Sequence, residues 1–438
     1  MAELRFLITC FLVVFLLVIP VSADWTFRAS NRILGNIAFN PGDAGLTDRA
    51  EDAQLALENR LIFQGDLTDS LQMEIHVLTT LDYTTRRLAG ASTGGYDMSL
   101  PASAGAFRHP DLAWEWKDAD PGDEAVTGVT ELDRLTLRWN TSRTALTAGR
   151  QAIGLSTCFY LTANDFFQPF APEAIYREYK TGVDALKFQT FTGPLSEIDL
   201  IAVMGYAPGS DGDWDEPDWD ESALLARSVF SAGGYEWTVM AGKLPWRYLA
   251  AGGLQGELGG FGIRAEFNVN FPASGWAEAF GRDTHAGFHS GSAVWDENDS
   301  YLQAAAGIDY RFASSLHLFA EYLYRSHGFT EYGDYLAAAA RAGMVREPYS
   351  AHHYMALAAS YQWHPLVTSQ VFGIGNLDDG SALFSGTVTY SLSDEADMIA
   401  GGYLTAGHEP ALRDGMPEVP SQYGAAADSI YMEVRVYL

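Results

Sequence analysis

Charged side chains recur at alternate positions along several segments of this chain. Arg134 and Arg138 lie four residues apart, and Arg264 and Glu266 lie two apart, so an extended strand would place each pair on one face. Charges with the same spacing occur at Asp309, Arg311, Glu321, Arg325, Glu433 and Arg435. Such residues set the ion or solute selectivity of a water-filled pore, or they pair with opposite charges and brace adjacent strands. The residues alone leave both interpretations open.

Catalytic and metal-binding motifs are missing from the sequence. Serine residues and His76 and His317 are available as nucleophiles and bases, but no G-x-S-x-G or comparable motif connects them. The acidic segment 211–221 offers alternate oxygen ligands, yet it lacks the glycine and terminal glutamate of a calcium-binding loop. We therefore predict no catalytic residue, no metal site and no cofactor, and we predict a solvated acidic loop at 211–221.

Composition excludes several classes of partner. The chain has 56 acidic and 27 basic residues and a net charge of −29, which argues against nucleic acid as a partner because phosphate binding needs clustered Lys and Arg. There are two cysteines and no Cys-x-x-Cys-His, so the chain carries no c-type haem of its own.

The first 23 residues have the pattern of a signal peptide. Arg5 is followed by an apolar run over 6–19, and the small residues Val21-Ser22-Ala23 precede a cut before Asp24. An uncleaved anchor helix is the alternative. No apolar run of 18 residues follows, so we expect no spanning helix in the rest of the chain. We predict a signal peptide at 1–23 and one domain at 24–438.

The elements that would position the charges are amphipathic strands. In the run 261–271, Phe, Ile, Ala and Val alternate with Gly, Arg, Glu and Asn, and the run 430–438 has the same period of two. Runs of about ten residues match tilted membrane-spanning strands, whereas strands of soluble domains have about five or six. The sequence predicts an all-β fold, a transmembrane antiparallel up-and-down β-barrel of about 18 strands, with 16 or 20 as alternatives.

Connection lengths support the barrel. Turns of two to a few residues alternate with long connections at 83–128, 153–180, 207–221, 272–299, 327–351 and 406–424. This alternation is typical of periplasmic turns and extracellular loops, and it places both termini in the periplasm of a bacterium with an outer membrane. A soluble β-sandwich or propeller explains neither the alternation nor the strand length.

Three neighbouring motifs carry a resemblance. They are GRQAIG at 149–154, FYLTANDFFQPFAP at 159–172 and YREYKTGVDAL at 176–186, together about 40 residues. This stretch resembles porin-like outer-membrane proteins, including alginate-export-type barrels and the barrel components of porin–cytochrome electron conduits. The resemblance implies a passive channel for ions or small hydrophilic solutes. Its alternative is a barrel sheath that holds a multihaem cytochrome for electron transfer.

The same stretch is dense in aromatic residues and proline, unlike a solvated loop. We expect it to fold inward or to pack across the barrel mouth. Its charged residues would then line or brace a constriction; they are Arg150, Asp165, Arg177, Glu178, Lys180 and Asp184. The alternative is a structural plug at the rim. Outer-membrane lipid is the expected surrounding, and the sequence leaves a homo-oligomer open.

Overall fold

The computed structural model describes residues 24–39, 51–85, 107–118, 125–171, 174, 177–208, 214–272, 300–334, 336, 349–413 and 416–438. The predicted signal peptide at 1–23 lies outside them. The described strands are β1 (Asp24–Phe39), β2 (Glu51–Thr68), β3 (Leu71–Thr84), β4 (Ala113–Asp118), β5 (Ala125–Asn140), β6 (Thr144–Gln151), β7 (Val183–Gly193), β8 (Ser196–Pro208), β9 (Trp214–Ala232), β10 (Tyr235–Leu244), β11 (Arg247–Leu258), β12 (Phe261–Pro272), β13 (Tyr301–Arg311), β14 (His317–Arg325), β15 (His353–His364), β16 (Val367–Asn376), β17 (Ser381–Ser393), β18 (Ala396–Ala406), β19 (Ala411–Arg413), β20 (Met416–Glu418) and β21 (Asp428–Tyr437).

Eighteen of these strands close into an antiparallel barrel. Sequential strands pair around the sheet, and closure comes from β1, in which Ile33 pairs with Leu57 of β2 on one side and with Val434 of β21 on the other. The predicted fold class and the count of 18 are therefore confirmed. β19 and β20 form a separate hairpin in the connection between β18 and β21. Within the described ranges, no helix is long and apolar enough to cross a membrane.

The barrel has an apolar outer face and a largely polar inner face. In β1 and β2, Phe27, Ile33 and Leu57 are exposed, whereas Arg32 and Glu58, which alternate with them, are buried. The pleat sends neighbouring side chains to opposite faces, so the period of two in the sequence becomes an outer apolar band around a polar lumen.

Turn lengths separate the two ends of the barrel. One end carries turns of two to five residues, such as 69–70, 194–195, 259–260 and 312–316, and both Asp24 and Leu438 lie there. The other end carries the long connections, as predicted, although 245–246 and 377–380 are short. We refer to the first as the short-turn end.

The predicted loop at 207–221 is wrong over most of its length. β8 continues to Pro208 and β9 begins at Trp214, and the two pair through Tyr206↔Pro217 and Ala207↔Glu216. Pairing with a neighbouring strand overrides the low strand propensity of Asp and Pro, and a strand that rises beyond the apolar band tolerates acidic side chains. Residues 211–213 lie outside the described residues.

The predicted connection at 83–128 also contains a wall strand. β6 covers β5 only from Leu135 to Asn140, because the chain leaves the wall after Gln151. β4 pairs with β5 over the next part, through Ala113↔Glu131, and the N–H of Asp184 in β7 donates to the carbonyl of Phe107. The insertion satisfies backbone groups that the early end of β6 would leave unpaired.

Candidate functional site

The connection between β6 and β7 is residues 152–182, and we call it the lumen segment. Its described residues, 152–171, 174 and 177–182, fold into the barrel. Glycines stand where it leaves and rejoins the wall. Gly149 has φ +111°, and a Cβ there would lie 2.0 Å from the carbonyl oxygen of Leu135. A Cβ on Gly182 would lie 2.3 Å from the carbonyl oxygen of Asp133. Only glycine fits either position without displacement of the β5 backbone.

Glu266, which β12 directs into the lumen, holds the first half of the segment. It is 2% exposed. Its carboxylate accepts the Ser156 hydroxyl at 2.8 Å and four backbone N–H groups at 2.5 to 3.2 Å, those of Thr157, Cys158, Ala163 and Asn164. One wall side chain therefore fixes two separate stretches of the segment.

Glu321 of β14 holds the intervening residues. Its carboxylate accepts the N–H groups of Phe159, Tyr160 and Leu161 at 2.7 to 2.8 Å. The remaining N–H, that of Thr162, donates to the hydroxyl of Tyr349 at 3.1 Å. The Tyr349 hydroxyl in turn donates to the carbonyl of Tyr160.

Buried amides add a second set of bonds on β11 and β12. Asn164 and Asn268 are both 0% exposed. The Asn164 amide donates to the carbonyl of Gly252 at 3.0 Å, and the Asn268 amide donates to the carbonyl of Ala163 at 2.7 Å. These bonds satisfy one backbone carbonyl of the wall and one of the segment, whereas the two carboxylates satisfy the N–H groups of the segment.

An internal ion pair joins the outgoing and returning parts of the segment. Lys180 donates to the carboxylate of Asp165, and both side chains are largely buried. Burial raises the pKa of Asp165 and lowers the pKa of Lys180, because desolvation disfavours both charged forms. Loss of either partner would leave the other as an uncompensated buried charge.

Aromatic residues near the short-turn side carry cation–π contacts. The Arg264 guanidinium lies 4.0 Å from the centroid of the Phe159 ring and donates to Asp309 at 2.7 Å. The Arg177 guanidinium lies 4.9 Å from the Tyr160 ring and donates to the carbonyl of Phe159 at 2.8 Å. The Tyr160 hydroxyl accepts from Gln370 of β16.

The returning part of the segment packs against the opposite side of the barrel. The ring of Tyr179 lies 4.6 Å from the Arg60 guanidinium and edge-on to His76. Arg134 donates to the carbonyl of Lys180 at 3.2 Å, and Tyr437 donates to Glu178 at 3.0 Å. The segment thus touches strands on all sides of the lumen, which are β2, β3, β5, β11, β12, β14, β16 and β21.

Two apolar clusters fill the space between segment and wall. Ile153, Leu155 and Phe167 pack with inward residues of β7 to β11, and Leu161 and Ala163 pack with the tyrosine-rich side of β13 to β18 and β21. Cys158 lies in the second cluster as a buried free thiol, and burial raises its pKa. The segment is therefore part of the folded core.

The structure brings together most of the charges predicted for a constriction. Those on the segment or in contact with it are Arg134, Asp165, Arg177, Glu178, Lys180, Arg264, Glu266 and Glu321. Two others act through a neighbour: Asp309 holds Arg264, and Arg325 donates to the carbonyl of Tyr349, the tyrosine that binds the segment.

The other predicted residues have their described contacts with the wall, although the Arg150 side chain also lies beside Gly182 at the end of the segment. Arg150 and Asp184 pair at 2.7 Å between β6 and β7, where Arg150 also donates to the carbonyl of His109. Glu433 binds Arg435 and Arg32 at the β21–β1 seam. Arg138 bonds Asn140, and Arg311 is exposed at the short-turn end.

Several residues that hold the segment are not among the constriction candidates predicted from the sequence. They are Tyr349, Tyr179, Arg60, Asn268 and Asp133, whose carboxylate accepts the N–H of Gly182. Asn268 and Asn270 alternate with Phe267 and Val269, which was the available sign of an amide pair facing inward. Among the described residues, no cluster of three or more His, Cys, Asp or Glu could hold a metal ion.

The barrel resembles solved structures of outer-membrane porins from Pseudomonas aeruginosa. OccK8 (OprE) is 11% identical, with a TM-score of 0.54 over 95% of this chain and 98% of that one. OccK2 (OpdF), solved in complex with glucuronate, is 10% identical, with a TM-score of 0.53 and coverage of 95% and 98%. OccK9 (OpdG) is 12% identical, with a TM-score of 0.52 and the same coverage. At these identities the likeness shows the fold alone.

No family model and no curated protein matches this chain. The solved structures support a porin fold, and the finer resemblance to alginate-export barrels or to barrels of electron conduits has no support from them.

Proposed function

We propose that this chain is an integral outer-membrane channel for the passive passage of ions or small hydrophilic solutes, with the lumen segment as its constriction. The observation that carries the proposal is a segment anchored on all sides of a polar lumen inside a closed barrel. A peptide fixed to the wall narrows the path that water-soluble molecules take.

Solvent reaches the lumen from the short-turn end. Arg28 and Gln64, on the inward-facing register of β1 and β2, are exposed, as is Arg311 of β13. Closer to the segment, the Arg134 and Glu74 side chains are 20% and 32% exposed while they pair at 3.4 Å. We assign Arg134, Arg177 and Glu178 to the solute path, because they combine charge with a position on or beside the segment.

The membrane position follows from the outer face. Exposed apolar side chains occupy the outward positions of neighbouring strands, as Leu200, Phe267 and Phe384 do. Such a band is stable only in hydrocarbon or under another protein. In this proposal the short-turn end and both ends of the mature chain face the periplasm, and residues 1–23 are the cleaved signal peptide.

The alternative of a sheath around a multihaem cytochrome is less compatible with the structure. The lumen segment and its apolar clusters fill space that a protein partner in the lumen would need. The porin-type neighbours give no support for such a partner, and they leave the oligomeric state open.

The test is single-channel recording of the purified protein in planar bilayers. We expect stepwise conductance. In protein-containing vesicles we expect uptake of a small sugar acid such as glucuronate, the ligand in the OccK2 structure, and the uptake of glucose is measured beside it for comparison. An absence of conductance from a barrel that is folded on unboiled gels would contradict the proposal. Haem absorbance at a stoichiometric level after mild-detergent purification would favour the sheath.

A further inference from the structure

Eight consecutive backbone N–H groups of the lumen segment, from Thr157 to Asn164, donate to side chains. Seven of them donate to the two carboxylates of Glu266 and Glu321, and one to Tyr349. A buried peptide without helix or strand must find acceptors elsewhere, because an unpaired N–H away from water is costly. The wall side chains take the place of secondary structure for this peptide.

The N–H groups converge in the manner of an anion site. Successive N–H groups that point at one centre form a concavity with positive potential, and hydrogen bonds to an ionised acceptor are stronger than neutral ones. Within the described part of the chain, neither Glu266 nor Glu321 forms a salt bridge. The direct partners of the two carboxylates on the segment are therefore backbone amides, joined at Glu266 by the Ser156 hydroxyl.

The wall leaves room for this arrangement. β13 lies between the two carboxylates and places Ala305 opposite Glu266 and Gly307 opposite Glu321. A Cβ on Gly307 would lie 2.8 Å from Cγ of Glu321. The small residues of β13 let both long side chains lean over it and reach the segment.

We infer that residues 156–164 form two backbone binding sites for carboxylate groups, and that Glu266 and Glu321 fill them from the barrel wall as positioning residues. Occupied sites hold the segment across the lumen, and empty sites release it. The inference rests on the proposed channel function, because it concerns what keeps the constriction narrow.

The experiment empties one site and refills it from solution. The substitution Glu321→Ala removes a CH₂–carboxylate group, which acetate matches in size and charge. Single-channel conductance of the intact reconstituted chain is recorded in chloride, in chloride with acetate, and in chloride with acetamide, each normalised to the conductivity of the solution. We expect Glu321→Ala to raise the conductance, acetate to restore the wild-type value, and acetamide to have no effect.

Two further variants keep the test decisive. Glu58→Gln also neutralises a buried glutamate on the inner face, but Glu58 bonds Arg32 and not the segment. The conductance of this variant should therefore not change when acetate is added. Glu321→Gln keeps the size of the side chain and one acceptor oxygen but replaces the other oxygen with an NH₂ donor, which cannot accept the N–H groups of 159–161. We therefore expect the segment to be released and the conductance to rise. Because the glutamine side chain still takes up the space of the site, acetate should have no effect. It serves as the probe if Glu321→Ala does not assemble.

The inference is overturned if Glu321→Ala and Glu321→Gln conduct like the wild type, or if acetate and acetamide act alike on the alanine variant. Failure of the proposed function looks different, because the wild-type chain would then show no conductance in chloride.

Discussion

Individual side chains in the lumen segment act in pairs whose members depend on each other. Asp165 and Lys180 neutralise each other in a buried position. Burial raises the pKa of Asp165 and lowers the pKa of Lys180, and both shifts favour the uncharged form of the side chain. The pair spans the segment, so it ties the outgoing part of the chain to the returning part. A buried pair of this kind adds little net stability over apolar residues, but one partner alone is costly.

Lys180→Met should therefore destabilise the folded barrel strongly. We expect a loss of about 3–5 kcal/mol in the free energy of unfolding, since Asp165 keeps a buried charge without its partner. Equilibrium urea unfolding in lipid vesicles measures the change. Asp165→Asn combined with Lys180→Met should recover most of the loss, and an additive double variant would show that the two side chains are not coupled.

Gly149 is a second residue whose type has a direct physical cause. Gly149→Ala puts a Cβ against the carbonyl of Leu135 at a positive φ, and we expect a loss of about 1–3 kcal/mol from backbone strain. Gly154→Ala is the matched control, because nothing lies within 4 Å of a Cβ at that position. Equal urea midpoints for the two variants would contradict this account.

At the scale of elements, the lumen segment and β4 are complementary. β6 stops early because the chain turns into the lumen, and β4 then takes its place beside β5. Phe107, just before β4, also packs edge-on against Phe167 of the segment, with ring centroids 5.2 Å apart. The connection between β6 and β7 thus forms the constriction, and the connection between β3 and β5 supplies the strand that completes the wall beside it.

Deletion of 164–172 tests whether the segment limits conductance. The deleted residues include Phe167, which packs on the β7–β11 side, and Asn164, which bonds β11. We expect a larger single-channel conductance, because the anchored peptide no longer narrows the lumen. An unchanged conductance with lower thermal stability would instead identify the segment as a structural plug.

At the scale of the whole molecule, closure of the barrel determines stability. β1 bonds β2 along its length and β21 along most of it, and the N–H of Leu438 donates to the carbonyl of Ala29. In the described strands, closure gives β1 and β21 a partner on both sides, and a membrane would not tolerate an unpaired edge there.

A closed barrel of this kind should resist detergent. We expect the purified protein to migrate faster on unboiled gels than after boiling, since the hydrogen-bonded wall keeps the chain compact until heat breaks it. Gel mobility at a series of temperatures gives the transition. Identical mobility before and after boiling, together with recovery in the soluble fraction, would refute the membrane barrel.

Local patterns in the sequence were sufficient to predict the barrel. Alternation of apolar and polar residues, run length and connection length predicted the antiparallel barrel, 18 strands and the separation of short and long connections. These properties follow from the pleat and from the thickness of a bilayer, so each strand reports them on its own. The aromatic and proline density of 159–172 likewise indicated a connection that packs against protein.

Only the tertiary structure decided what the charged residues contact. Glu266 and Glu321 have the same alternation as Glu433, yet the first two bind backbone N–H groups 102 to 162 positions away in the chain, and Glu433 binds arginines at the seam. Which groups these glutamates bind depends on the path of the lumen segment through the barrel. The segment has no periodic sequence pattern from which that path could be predicted. The continuation of β9 through acidic residues depended in the same way on the strand that pairs with it. Period and composition are local properties of a chain, whereas the choice of a partner across a barrel belongs to the closed fold.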